Sequence, residues 1–184
     1  IVSVILSLVR PLWMIYAIIV FDIYWVLRVS YFSFYMVLSW RRFYKAVRID
    51  WWQKLITEFP QWNLNKNVIF LPFYNEGWEV VDATLSGLLA SSYPADKIYV
   101  VISGEGRQAA QWLAAQEKIR SKYVGKFADI IFYTHPDGLP GELPGKGSNI
   151  HYAEFEFKKY ADAHGWNYDN IIMSVFDIDT VAHP

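Results

Sequence analysis

The stretch IIMSVFDIDT, residues 171–180, holds an apolar run followed by two carboxylates at i and i+2. The run Ile171–Phe176 is too short for a buried helix and has the usual length of a buried strand. Asp177 and Asp179 follow where that strand stops. In an extended chain, residues two apart point the same way, with Cα atoms about 7 Å apart. Hard oxygen donors in that arrangement suit Mg2+ or Mn2+, which in turn hold phosphate oxygens. The spacing alone is weak, because most Asp-x-Asp pairs are exposed loop charges. Its place after an apolar strand gives it weight if other strands end nearby in the same way.

Three upstream runs do so. Val68–Pro72 (VIFLP), Ile98–Ser103 (IYVVIS) and Phe127–Thr134 (FADIIFYT) read as strands. Between them lie helical stripes. Val80, Val81, Thr84, Leu85, Leu88 and Leu89 form one, and Trp112, Ala115, Ile119 and Tyr123 another. A third has Ile150, Ala153, Phe157, Tyr160 and Ala161 inward, with Ser148 or Asn149 as its cap. Alternating strands and helices predict an α/β domain with a largely parallel sheet. In such sheets ligands sit at the carboxyl ends of the strands. Phe73-Tyr74-Asn75-Glu76 follows the first strand, Gly104-Glu105-Gly106-Arg107 the second, and Asp177-Ile178-Asp179 the fourth.

The run GLPGELPGKGSN, residues 138–149, precedes the third helix and invites a phosphate-loop reading. That pattern wants Gly, four residues, then Gly-Lys-Ser/Thr. Counting back from Gly145-Lys146, the leading position is Pro140, and the Ser/Thr position is Gly147. Ten residues also separate the preceding strand from Gly145. The loop is not a P-loop, yet Lys146 in it still reads as a point charge for phosphate.

The 184 residues carry a formal net charge of −1, which gives no sign of a general polyanion binder and predicts no nucleic-acid partner. Cysteine is absent, which excludes disulfides, thiolate metal sites and cysteine nucleophiles. Hydrophobic residues reach 54 %, unevenly spread. Leu12–Phe32 has the length of a membrane span, about 20 residues. Eleven of its residues are Leu, Ile, Phe or Val, contributing about −3 to −7 kcal/mol toward insertion. Asp22 opposes this by about 2.5 to 3.5 kcal/mol, while Arg28 can snorkel. Asp22 reads either as a polar contact between helices or as a partly hydrated residue. Ile1–Val9 reads as the end of a neighbouring helix, with Arg10-Pro11 as the turn of a hairpin. Arg41, Arg42, Lys45 and Arg48 place the following side in the cytoplasm by the positive-inside rule, and the flanking aromatics suit an interfacial helix. The sequence starts at Ile1 rather than Met and stops at Pro184 soon after a strand, and it reads as a piece of a longer chain.

Taken in order, LPFYNE at 71–76, GEGR at 104–107, GKGSN at 145–149 and FDIDT at 176–180 resemble the family 2 glycosyltransferases, from Asn67 to Pro184. The resemblance implies a GT-A fold, Rossmann-like with a mostly parallel sheet and flanking helices. It implies an inverting, membrane-anchored enzyme that transfers a sugar from a UDP-sugar donor to a glycan, lipid or cell-envelope acceptor. Residues 1–40 are then a transmembrane hairpin remnant and interfacial helix, 41–66 a basic amphipathic connection, and 67–184 the nucleotide-sugar-binding half of the domain. Pro72, Tyr74, Asn75 and Glu76 would line the base and ribose pocket. Lys146 would neutralise the nucleotide, Asp177 would approach ribose or metal, and Asp179 would ligate Mg2+ or Mn2+. Members commonly carry Asp at the end of the second strand; Glu105 is read as its substitute. The general base is expected beyond Pro184, and the domain on the cytoplasmic side of the inner membrane.

Other residues read as bland. His135, His151, His164 and His183 show no ligand spacing; His183 reads as a loop histidine, with approach to the metal as its second reading. Arg107 reads as a capping or surface residue, with a phosphate contact as its second reading, and Asp137 as a turn residue. Two alternative functions stand beside the first: a membrane-tethered nucleotide-binding or scaffold module without transfer, and a nucleotidyltransferase on a related sheet. The acidic, aromatic FYNEGWE segment counts against the latter, which usually places a Gly-rich, basic signature there.

Overall fold

The computed structural model describes residues 2–182, which divide into two compact units, up to residue 51 and from residue 52 onward. In the first unit, α1 (Val2–Val9) and α2 (Pro11–Ala46) are separated by Arg10 alone. Pro11 has no N–H to give and is preorganised for a first helical turn, so the ladder restarts there. Arg10 N still donates to Leu6 O at 2.8 Å, and Trp13 N donates to Arg10 O at 3.1 Å. An antiparallel helix hairpin takes about two to five loop residues. The turn expected at Arg10-Pro11 is thus a one-residue break between consecutive helices.

The span and the interfacial helix expected after it form one element. The 36 residues of α2 extend about 54 Å, against roughly 30 Å of bilayer hydrocarbon. No residue of α2 is buried in the structure. Its length and composition are sufficient to cross a membrane.

The second unit opens with most of α3 (Trp51–Glu58) and a 3₁₀ turn at Trp62–Leu64. Trp52, Trp62 and Tyr93 meet edge to face, with ring centroids 4.8 to 6.1 Å apart. The later part of the expected connection, from residue 52 on, is therefore packed into the globular unit by aromatic contacts, while residues 41–46 belong to α2.

Four strands follow: β1 (Lys66–Phe73), β2 (Ile98–Glu105), β3 (Asp129–His135) and β4 (Ile171–Val175). All pair in parallel in the order β3-β2-β1-β4. The connections are α4 (Trp78–Ala90), α5 (Ala109–Tyr123) and α6 (Lys146–Ala163). This is the α/β class the sequence predicts, with a parallel sheet and flanking helices.

Strand alternation divides the core. Ile69, Leu71 and Phe73 face one side with Val81, Leu85, Trp112 and Ile119 of α4 and α5. Val68 and Phe70 face the other with Ala153, Phe157 and Ala161 of α6. Two details depart from the sequence reading. Val80 is exposed rather than in the α4 stripe, and β4 is only partly covered, with Ile172, Met173 and Val175 more than 40 % exposed. β4 is the last strand of the sheet, and α6 packs against β1, β2 and β3 instead.

Strand order creates the site. The chain lays β1, β2 and β3 outward, then crosses back to put β4 on the other side of β1. The order therefore reverses between β1 and β4, which opens a crevice at their carboxyl ends.

Candidate functional site

A cleft of about 250 Å³ occupies that crevice. It is lined by Pro72 near the end of β1, Tyr74 and Glu76 after it, Glu105 and Arg107 at the end of β2, Lys146 and Asn149 of α6, and Asp177 and Asp179 after β4. The structure thus brings seven of the eight sequence-predicted residues into one cleft. Asn75 is the exception: it lies on the neighbouring groove between α4 and α5, with Trp78 and Lys118.

The first wall is a closed turn. Glu76 Oε2 accepts from Tyr74 N at 2.8 Å and Asn75 N at 3.1 Å. One oxygen of Glu76, expected to face base or ribose, is thus spent on the local backbone. Tyr74 is 45 % exposed, and its ring lies under Arg107, with Cζ 4.9 Å from its centroid. Gln108 Nε2 donates weakly to Tyr74 Oη at 3.4 Å.

The floor differs more from expectation. β2 runs two residues further than its apolar pattern, so Glu105 ends a buried strand and is only 4 % exposed. An isolated buried carboxylate is costly unless paired. Here Arg107 Nε and His135 Nδ1 both approach Glu105 Oε2 at 3.4 Å. Arg107 is therefore a site residue, where the sequence suggested a capping or surface role. Its alternation with Glu105 across one residue was the available signal. His135 has no such signal, because its partner Glu142 lies in a Gly/Pro loop that periodicity does not place. Asn149 is 2 % exposed and donates from Nδ2 to Ser103 O at 3.0 Å.

The third wall is the start of α6. Neither Ser148 nor Asn149 caps this helix. The N-cap is Gly145, without a side-chain cap bond. Ser148 Oγ instead donates to Leu143 O and Gly145 O. The first N–H groups of α6 are left without a side-chain acceptor beside the cleft, which is a ready anion site. Lys146 sits there and pairs with Asp177.

The Asp-x-Asp segment is not extended as its sequence suggests. Thr180 N donates to Asp177 O at 2.9 Å, so 177–180 closes a turn. Ile178 between the aspartates is 3 % exposed, and its carbonyl accepts from Thr84 Oγ1 at 2.5 Å. Burial of Ile178 holds the turn while Asp177 and Asp179 stay exposed on the cleft.

Two carboxylates are few for a self-sufficient metal centre, and among the described residues no group of three or more His, Cys, Asp or Glu is placed to hold an ion. The pair fits an ion that takes one or two carboxylates and completes its shell from phosphates and water, as Mg2+ does. His183 lies outside the described residues.

No family model matches the chain, and no curated protein matches it. Among solved structures it is similar to TarS of S. aureus, at 17 % identity and a TM-score of 0.39, over 62 % of this chain and 16 % of that one. Identity and overlap at that level leave the function to be argued from the cleft.

Proposed function

We propose that the cleft binds the nucleoside diphosphate part of a UDP-sugar, together with Mg2+ or Mn2+. On this reading the protein is a membrane-anchored inverting glycosyltransferase acting on a glycan, lipid or cell-envelope acceptor. The observation that carries it is the meeting of Asp177, Asp179, Lys146 and the uncapped start of α6 with an exposed aromatic ring at the switch point of the sheet.

Each residue has a task. Tyr74 offers a face on which uracil stacks, and Arg107 fixes that ring from the far side. Lys146 and the first amides of α6 neutralise the diphosphate. Asp177 and Asp179 would hold the divalent ion, which supplies charge neutralisation for a departing diphosphate. In the ligand-free chain Lys146 and Asp177 satisfy one another, so diphosphate and cation are expected to separate the pair by each taking one member. Glu105 acts at one remove, through Arg107. The long apolar α2 would anchor the chain in the inner membrane, with the basic residues of its last turns, Arg41, Arg42 and Lys45, on the cytoplasmic side.

The test is calorimetric titration of UDP into the detergent-solubilised chain with Mn2+, then with EDTA. Binding is expected only with the cation and weakly or not at all for ATP. Asp179→Asn is expected to weaken UDP by roughly 10- to 100-fold, the worth of a charged contact. A folded chain, verified by circular dichroism, that ignores UDP would turn the assignment toward a tethered scaffold.

A further inference from the structure

His135 is 4 % exposed, at the end of β3, and each of its ring nitrogens faces a carboxylate. Nδ1 lies 3.4 Å from Glu105 Oε2, and Nε2 lies 2.9 Å from Glu142 Oε2. A neutral imidazole has one donor and one acceptor, so one nitrogen would turn a lone pair on an ionised oxygen. Only the imidazolium donates to both. Glu105 Oε2 also meets Arg107 Nε at 3.4 Å. The other titratable group against the ring is Tyr152 of α6, with centroids 5.3 Å apart.

The two carboxylates lead to opposite walls of the cleft. Glu105 leads to Arg107 and the Tyr74 ring. Glu142 belongs to the loop, residues 136–145, that delivers Lys146. Gly138 and Gly141 turn that loop with φ of 73° and 81°. Leu143 beside Glu142 is 87 % exposed, so apolar packing at that tip does not hold it. We propose that His135, as an imidazolium, is a positioning residue for this cleft, holding Arg107 through Glu105 and clamping the Lys146 loop through Glu142. The effect on ligand rests on the donor-site reading above; the clamp itself does not.

The experiment uses the full chain in detergent and has a ligand-free arm. Nitrogen-15 spectra of the histidine rings at neutral pH are expected to show both nitrogens of His135 protonated, assigned by loss of the signal in His135→Gln. If His135→Gln does not fold, displacement of the signal in Glu142→Gln identifies it. A singly protonated ring overturns the proposal. At fixed pH, amide exchange of residues 136–145 is expected to quicken in Glu142→Gln, whose residue is partly exposed and off the core; unchanged exchange overturns the clamp.

The second arm titrates UDP with Mn2+ at fixed neutral pH. Glu142→Gln is expected to bind roughly three- to tenfold more weakly than the parent chain. Equal affinity in the two chains overturns the positioning role. A parent chain that binds no UDP sinks the donor reading instead, while the ring spectra and loop exchange still decide the clamp.

Discussion

At the scale of single residues, Gly104 shows how closely the site rests on the core. It lies on buried β2, and a Cβ built there would come 2.2 Å from Trp112 Cδ2. The Trp112 ring also packs against Phe73, and its Nε1 donates to Thr134 Oγ1 at 2.8 Å. Gly104→Ala is expected to push that ring aside and destabilise the chain by about 1 to 3 kcal/mol, the usual cost of overpacking. Chemical denaturation of the detergent-solubilised chain measures it; an unchanged midpoint would show that Trp112 has room to move. The sequence marks Gly104 only as part of a GEGR string. Its need for a missing side chain is set by a tryptophan eight residues away on another element, and a one-dimensional pattern carries no such distance.

At the scale of elements, α4 and α5 are joined through Asp82, which meets both Lys122 and Tyr123. Lys122 Nζ lies 2.5 Å from Asp82 Oδ1, and Tyr123 Oη donates to the same oxygen at 2.7 Å. The Lys122 ammonium, then the Tyr123 hydroxyl, hold the Asp82 carboxyl below its usual 3.8. A carboxyl whose folded value is depressed gives stability that is present above the unfolded value and lost as pH falls through the folded one. Acid unfolding is therefore expected to gain a component below about pH 4 that Asp82→Asn removes, with added salt shrinking it because the pair is exposed. Thermal melts across pH 2 to 6 check this; a variant with the parent acid profile would contradict it. The stripes that form α4, α5 and α6 were legible in the sequence, since 3.6-residue periodicity is local. Their ends were less so. α6 begins at Gly145 and Lys146 rather than at a Ser or Asn cap, because Ser148 turns back to loop carbonyls and Asn149 turns inward to Ser103.

At the scale of the whole molecule, α2 is long and apolar enough to cross a membrane. The insertion tally for its central stretch, about −3 to −7 kcal/mol against about 2.5 to 3.5 for Asp22, leaves a narrow margin. A single further charge is expected to use most of it. Val20→Arg should cost about 3 kcal/mol and move the chain out of reconstituted vesicles in flotation assays. Equal recovery of variant and parent in the vesicle fraction would mean that α2 does not insert by hydropathy.

The sequence by itself determined the strands and helices of the globular unit, the α/β class, the presence of an apolar segment of membrane-spanning length and which segments end at the carboxyl edge of the sheet. Those follow from local periodicity and from the rule that strand ends carry the ligand site. Tertiary structure decided how the segments are used. It put β4 beside β1 and so opened the cleft at their junction. It closed the Asp-x-Asp segment into a turn over buried Ile178. It drew Glu105 inside, where a buried charge must find partners, and supplied Arg107 from the turn just after β2 and His135 from the end of β3. Periodicity is written into neighbouring residues, whereas the cost of burying a charge or closing a void depends on what the fold brings against it.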